Sequence, residues 1–170
     1  MLYIAGAGGF GREVYSWLKS DPTYKTRVLK FLSDVPVPPL TGYPAPIKRI
    51  DSDSSLYPHT FIAAIGNPVG RGIVVGNMIR RKAKPFTYVH PHTVIARTAQ
   101  LGSGVFVCPM SVVSAEVRVG DYCIINLHCS IGHYVVLGGY CTLSPHVGLS
   151  GGVQVGEGVF FGTGAQVLPG

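Results

Sequence analysis

One spacing governs the second half of the chain, because every sixth residue from Val89 onward is apolar. These fourteen positions are Val89, Ile95, Leu101, Val107, Val113, Val119, Ile125, Ile131, Leu137, Leu143, Leu149, Val155, Phe161 and Val167. A second series follows four residues after each of the first thirteen and holds only small or short-branched side chains. Its members are Thr93, Ala99, Val105, Ser111, Val117, Cys123, Cys129, Val135, Cys141, Val147, Val153, Val159 and Ala165. An α-helix needs a period near 3.6 and an ordinary strand a period of 2, so neither fits this region.

A strict period of six, with one bulky and one small inward residue, is typical of a triangular parallel β-solenoid. Each hexad forms one short side, and three hexads (18 residues) form one coil. The pattern therefore predicts a left-handed parallel β-helix over residues 89–170, with a little over four coils stacked around a continuous core. Because its faces carry almost no charge, we expect a homotrimer in which two of the three faces are buried against neighbouring subunits.

The same register assigns a place to each of the four cysteines. Cys123, Cys129 and Cys141 occupy the small inward position, so we expect buried, inert thiols. Cys108 directly follows an inward residue and is predicted to point outward or into a seam between subunits. The chain has no C-x-x-C pair, which argues against a zinc site, and we predict no metal.

Residues 1–88 have a different organisation and are predicted to form a small Rossmann-like α/β domain. An apolar strand from Leu2 leads into the glycine run GAGGFG (6–11) and then a helix over 12–19. A second strand is predicted over 27–33, a proline-rich loop over 36–39, a third strand over 60–65 and a second helix over 69–82.

The glycine run matches the G-x-G-x-x-G pattern between a strand and a helix, where the backbone can approach a phosphate. Asp34 follows the second predicted strand and is placed to accept hydrogen bonds from a ribose or a base. Because 88 residues hold too few strands for a full dinucleotide fold, a mononucleotide-sized ligand fits better than NAD. The alternative is a tight strand–helix turn that binds nothing.

Charge and hydropathy indicate which kinds of ligand the protein binds and in which compartment we expect it. Residues 1–88 carry twelve Lys/Arg and five Asp/Glu, a net charge of +7, against −1 for residues 89–170 with two and three. A basic half suits a phosphate-bearing ligand, whereas one short cluster at 80–82 is too little for nucleic acid. No membrane helix is expected, since glycine, proline and histidine interrupt the charge-free run 122–156. The first residues lack a basic leader, so we expect a cytoplasmic protein.

Four motifs resemble those of the NeuD/PglD family of sugar acyltransferases, and the resemblance spans essentially the whole chain. They are GAGGFG (6–11), FLSD (31–34), AIGN (64–67) and INLHCSIGH (125–133). The resemblance implies a trimeric β-helix with acetyl-CoA between neighbouring coils, and an N-terminal domain that holds a nucleotide-linked amino sugar. By position it makes His133 the general base, places Asn126 in the catalytic seam, and puts Thr142, Gly151 and Thr163 beside acetyl-CoA. The nucleotide-sugar pocket would be lined by Gly8, Gly9, Phe10, Asp34, Gly66 and Asn67.

The residues themselves add a weaker argument for His133, which is the third residue of its hexad and should face outward. His128 and His146 are also predicted to face outward. The sequence departs from the family at Tyr134, where an acidic residue usually follows the histidine, and at Phe10, where a polar residue is frequent. It also ends at Gly170, where relatives continue, so we expect the C-terminal cap of the β-helix to be missing.

The predicted function is acetyl-CoA-dependent N-acetylation of a nucleotide-linked amino sugar for surface glycan synthesis. Two alternatives stay open at this point. One is O-acetylation of sialic acid or another sugar. The other is a non-catalytic trimer that binds a nucleotide sugar.

Overall fold

The computed structural model describes residues 1–26, 29–33, 42–43, 47–48 and 59–169, with only the backbone at 47–48. Asp34 and the predicted proline-rich loop lie outside the described residues. The chain forms two compact units, Met1–Phe86 and Thr87–Gly170. Neither helix in the described part of the chain is long and apolar enough to cross a membrane.

The N-terminal unit is a parallel sheet combined with two helices. Its elements are β1 (Leu2–Ala5), α1 (Gly9–Ser20), β2 (Leu29–Leu32), β3 (Ile47–Lys48), β4 (Thr60–Ala63), α2 (Pro68–Arg80) and β5 (Lys84–Pro85). The strands lie in the order β3-β2-β1-β4-β5 and pair in parallel throughout. The predicted Rossmann-like unit is therefore confirmed, with two short edge strands, β3 and β5, that the sequence did not predict.

Both helices follow local rules that the sequence carries. In α1 the buried residues Gly11, Val14, Tyr15 and Leu18 repeat at helical spacing and form its inner face. The helix begins at Gly9, inside the glycine run and earlier than predicted. The second helix ends at Arg80 rather than at the predicted residue 82, because Lys82 adopts a left-handed conformation with φ of 58°.

The C-terminal unit consists of two-residue strands joined by tight turns. They are β6 (Tyr88–Val89), β7 (Val94–Ile95), β8 (Gln100–Leu101), β9 (Phe106–Val107), β10 (Val112–Val113), β11 (Arg118–Val119), β12 (Ile124–Ile125), β13 (Ser130–Ile131), β14 (Val136–Leu137), β15 (Thr142–Leu143), β16 (Gly148–Leu149), β17 (Gln154–Val155), β18 (Phe160–Phe161) and β19 (Gln166–Val167). Three parallel sheets result: a first face (β6, β9, β12, β15, β18), a second face (β7, β10, β13, β16, β19) and a third face (β8, β11, β14, β17). Each strand pairs with the one a full coil later, as Val113 does with Ile131. The predicted β-helix with 18 residues per coil is confirmed.

The two periodic series build the core of the β-helix. Its fully buried cluster includes the predicted cysteines Cys123, Cys129 and Cys141. These thiols also donate hydrogen bonds to backbone carbonyls of the next coil, for example from Cys123 Sγ to the carbonyl of Gly138 at 3.1 Å. The cysteines at the small inward position thus fill the core and also provide hydrogen-bond donors for buried backbone carbonyls.

The turns between faces adopt a conformation that the sequence did not indicate. Seven non-glycine residues of the coils have φ between 56° and 64°, and they are Met110, Glu116, Tyr122, His128, Tyr134, Tyr140 and His146. A left-handed residue costs roughly 1–2 kcal/mol when it is not glycine. Hydrogen bonds between coils offset this cost, as from the Tyr134 amide to the Ala115 carbonyl at 3.1 Å.

The prediction for Cys108 is wrong. Its side chain is 0% exposed, so it neither points into solvent nor lies on an open surface. The reason lies in the first face, where the outward residues Tyr88, Phe106 and Ile124 are themselves buried. Because Cys108 directly follows β9, in the part of this face where the outward residues are buried, an outward position there is not a solvent-exposed one.

Candidate functional site

A cavity of about 600 Å³ lies in the N-terminal unit beyond the carboxyl ends of β1, β2 and β4. Ligands of open parallel sheets bind in this position. The described wall comes from the β1–α1 turn, the end of β2 and the β4–α2 loop with the start of α2. It consists of Gly6, Ala7, Gly8, Gly9, Phe10, Leu32, Ser33, Ala64, Ile65, Gly66, Gly70, Ile73 and Val74.

The glycines of the 6–11 run have two distinct roles. Gly6 has φ of +120°, and a side chain on Gly11 would come within 2.0 Å of the Gly6 carbonyl oxygen, so these two glycines allow the tight turn. A side chain on Gly8 or Gly9 would instead meet no atom within 4 Å. Packing therefore does not require glycine at 8 and 9, and their bare backbone leaves room for a ligand in the cavity.

The two helix N-termini differ in how they are capped. Asn67 caps α2, because its Oδ1 accepts a hydrogen bond from the Gly70 amide at 2.9 Å. Gly8 caps α1 without any side-chain hydrogen bond, and the first turn of α1 contains no acidic residue. Since a helix N-terminus carries partial positive charge, α1 is the helix suited to face an anion in this cavity.

The structure brings together four of the six residues assigned to the nucleotide pocket. Gly8, Gly9, Phe10 and Gly66 line the cavity. Asn67 is exposed, does not belong to the described wall and acts as the helix cap. Asp34, the sixth, lies outside the described residues.

Sequence reasoning missed much of the apolar wall and one polar residue in it. Ser33 contributes the single side-chain hydroxyl among the described wall residues and is largely buried. Its position directly after a parallel strand was the available signal, because such positions face the ligand crevice. Ile73 and Val74 were missed because a helical pattern alone does not tell which face borders a cavity.

In the C-terminal unit, His133 lies in the turn that follows β13, between the second and third faces. Its imidazole is exposed and packs over the backbone of Gly151, one coil later. A Cβ on Gly151 would lie 2.5 Å from Cε1, 2.8 Å from Nε2 and 3.0 Å from Nδ1 of that ring. The Tyr134 ring meets the imidazole edge-on, with centroids 5.3 Å apart and planes at 81°.

These contacts orient the imidazole by shape rather than by hydrogen bonding. No side-chain hydrogen bond joins it to another residue of the described part of the chain, and the residue as a whole is exposed. A neutral imidazole placed this way can accept a proton from a substrate. No carboxylate supports the ring where the family has an acidic neighbour, since that position is Tyr134.

Asn126 lies in a different turn of the same coil, at the end of β12. Its Oδ1 accepts a hydrogen bond from the Leu127 amide at 2.8 Å. Its backbone carbonyl accepts one from the hydroxyl of the fully buried Ser111 at 2.7 Å. Asn126 and His133 are thus on two corners of the coil, with the second face between them.

The three residues assigned to acetyl-CoA are also separated within the unit. Gly151 contacts the His133 ring. Thr142 is buried in β15 on the first face, and Thr163 is exposed in the turn after β18. Within one described chain, Gly151 is therefore the only one of these three residues that contacts the His133 ring.

Two other kinds of catalytic group are disfavoured or not found in the described residues. Burial raises the pKa of Cys129 to about 11, so this thiol stays protonated and is not a nucleophile near neutral pH. Among the residues that the structure describes, no three His, Cys, Asp or Glu side chains are grouped to hold a metal ion.

Comparison with known families assigns the N-terminal unit. Residues 1–78 match the family described as the PglD N-terminal domain. The predicted NeuD/PglD resemblance is thereby confirmed. No curated protein sequence matches the chain.

Solved structures extend the likeness to the full length of the chain. WeeI from Acinetobacter baumannii AYE is 24% identical with a TM-score of 0.90, covering 100% of this chain and 81% of that one. The acetyltransferase domain of PglB from Neisseria gonorrhoeae FA1090 is 24% identical with a TM-score of 0.83, covering 98% and 90%. A perosamine N-acetyltransferase from Caulobacter crescentus, in complex with CoA and GDP-perosamine, is 22% identical with a TM-score of 0.78, covering 98% and 88%.

At these identities the likeness establishes the fold. The chain shares the architecture of these solved structures, an α/β unit followed by a left-handed β-helix of hexapeptide repeats. The predicted fold class is confirmed.

Proposed function

We propose that this protein is an acetyl-CoA-dependent N-acetyltransferase whose acceptor is a nucleotide-linked amino sugar used for surface glycan synthesis. The observation that carries the proposal is the exposed His133 side chain, whose imidazole packs against Gly151 of the next coil. It is supported by the fold shared with a protein solved with CoA and GDP-perosamine.

In the proposed reaction the acceptor amine attacks the carbonyl carbon of the acetyl thioester, forming the N–C bond. His133 accepts the proton that the amine loses as it attacks. The tetrahedral adduct collapses with cleavage of the C–S bond, and the protonated imidazole returns its proton to the leaving thiolate. The products are the N-acetylated sugar and CoA, and no covalent enzyme intermediate is needed.

The N-terminal unit would hold the nucleotide part of the acceptor. The uncapped N-terminus of α1 suits a diphosphate, with the backbone of Gly8 and Gly9 able to approach it closely. The apolar side chains of the wall, among them Phe10 and Ile65, suit the faces of a base. The net charge of +7 over residues 1–88 favours the approach of this anionic ligand.

We also propose that the working form is a cytoplasmic homotrimer. Large apolar side chains are exposed along the second face and its adjoining turn, including Val94 at 63%, Met110 at 57% and Val112 at 41%. Burial of such residues between subunits is typical of obligate interfaces. Assembly would also offer a route to bring Asn126 and Thr163 of one subunit near His133 of another, whereas Thr142 is already buried within its own chain. Light scattering of the purified protein tests this, and a monomer mass at micromolar concentration would refute it.

The decisive experiment is a thiol-release assay with acetyl-CoA and a panel of acceptors. The panel contains UDP-, GDP- and dTDP-linked amino sugars, the corresponding hydroxyl sugars, and sialic acid. Turnover confined to nucleotide amino sugars supports the proposal. Turnover of sialic acid or of the hydroxyl sugars alone would show O-acetylation instead, and nucleotide binding without thiol release would show a non-catalytic binding protein.

A further inference from the structure

The most unusual side chain in the N-terminal unit is a buried arginine. Arg71 is 1% exposed. By residue volume it is the largest fully buried side chain among the described residues. It lies in the second turn of α2, and the other buried residues that follow in this helix, Val74, Val75 and Met78, are apolar. Burying a guanidinium is costly unless it is fully engaged, so an apolar residue is the ordinary choice at this position.

The guanidinium binds the loop that forms one wall of the cavity. Its Nη1 donates hydrogen bonds to the carbonyl oxygens of Ile65 at 2.7 Å and Gly66 at 3.2 Å. Both residues line the cavity, whereas Arg71 does not. Among the described contacts, the arginine therefore reaches the cavity through the backbone that it holds.

Because the peptide bond is planar, holding the two carbonyl groups also fixes the direction of the N–H groups that follow them. In a trans peptide the carbonyl and the following N–H point in opposite directions. When Arg71 draws the Ile65 and Gly66 carbonyls to itself, the N–H groups of Gly66 and Asn67 turn away from the helix. Asn67 also caps α2 through its side chain, which limits how far this segment can rotate.

We infer that Arg71 is a positioning residue for ligand recognition, holding the 65–67 backbone so that the wall residue Gly66 presents its N–H to the nucleotide in the cavity. This inference rests on the proposed nucleotide-sugar function and adds the device that orders one wall of its site. Arg71 itself does not touch the ligand. Both hydrogen bonds come from the single nitrogen Nη1, so the ammonium of a lysine, with three N–H donors, can make them in part.

The test measures nucleotide binding by calorimetry with UDP, GDP, dTDP and CMP as probes, using the full chain and the variants Arg71→Met and Arg71→Lys. Loss of a hydrogen bond from a charged donor typically weakens an interaction by about tenfold or more. We expect Arg71→Met to raise the Kd of the bound nucleotide by about tenfold, with a smaller rise for Arg71→Lys. The KM for acetyl-CoA should stay unchanged in both, since that substrate is assigned to the other unit.

Arg80→Met is the matched control, because Arg80 lies in the same helix but is exposed and bonds only to the Asn77 side chain among the described contacts. Amide chemical shifts of Gly66 and Asn67 supply a second measurement, and we expect nucleotide to move them in the wild type and less in the variants. Unchanged nucleotide affinity in a folded Arg71 variant, even one with a lowered Tm, would overturn the inference. If Arg71→Met does not fold, the nucleotide affinity of Arg71→Lys decides the question. A wild-type protein that binds none of the four nucleotides would instead refute the proposed acceptor class, and the inference would fall with it.

Discussion

The proposed catalytic position of the His133 imidazole can be tested without touching His133, by adding one methyl group at Gly151. In Gly151→Ala the new Cβ would lie 2.5 Å from His133 Cε1 and 2.8 Å from Nε2. Carbon atoms in van der Waals contact lie ~3.5–4.0 Å apart, so the ring must withdraw by about 1 Å. The nearest atoms to the added methyl all belong to this one exposed side chain, which can move. Gly151 also lacks a positive φ, so alanine adds no backbone strain.

A displacement of this size should act on the chemistry and leave the fold intact. Misplacing a reacting group by about 1 Å typically costs ~10²-fold in rate, or about 2.7 kcal/mol of transition-state stabilisation. We therefore expect kcat to fall ~10²-fold, with Tm and the KM for acetyl-CoA close to wild type. The assay is thiol release under saturating acetyl-CoA, combined with thermal unfolding.

Gly156→Ala is the matched control, because a Cβ at that position meets no atom within 4 Å and its φ is not positive. It should retain wild-type kcat. If Gly151→Ala raises the KM for acetyl-CoA while kcat stays unchanged, Gly151 borders the cofactor and does not position the base. If kcat and KM both stay at wild-type values, the geometry described for His133 is not the catalytic one.

Three further predictions concern the base, the glycine run and the thiols. His133→Ala should lower kcat by ~10²–10⁴-fold with little change in either KM, whereas His128→Ala, also in an exposed turn, should keep wild-type kcat; the reverse outcome would reassign the base. Gly9→Val should raise the acceptor KM strongly while leaving the KM for acetyl-CoA unchanged, and an equal loss of both affinities would indicate misfolding. Gly11→Ala should instead destabilise the fold, because its Cβ would overlap the Gly6 carbonyl. All four cysteines are buried, so none should react rapidly with a thiol reagent in the native protein, and fast labelling of any would contradict the described register. The raised pKa of Cys129 adds that the free energy of unfolding should fall as pH rises from about 9 to about 11, since the folded state keeps a proton that the unfolded state releases.

The periodic half of the chain was the most predictable part. In a β-helix each residue's neighbours lie a fixed 18 positions away, so a one-dimensional pattern contains the three-dimensional contacts, as with Val113 and Ile131. The approach of His133 to Gly151 follows the same spacing and was available from the register. Cys108 shows the limit, because the pattern tells inward from outward but not whether an outward face is covered.

The candidate site of the N-terminal unit depended far more on tertiary structure. The glycine run indicated a strand–helix turn. The sequence did not show that packing requires glycine at Gly6 and Gly11, whereas Gly8 and Gly9 face open space. Asn67 matched a family motif, yet its oxygen caps α2. Nothing in the pattern singled out Arg71.

The sequence by itself determined the β-helix, its register, the inward thiols and the class of the first unit, because periodic burial and glycine placement act between residues at fixed separations. Only the tertiary structure decided which glycines leave room for a ligand, how the His133 ring is oriented and what Arg71 holds. Those features arise where segments distant in sequence meet at distances set by packing. The wall of the cavity, made from three separate strand ends, exists only once the sheet has formed.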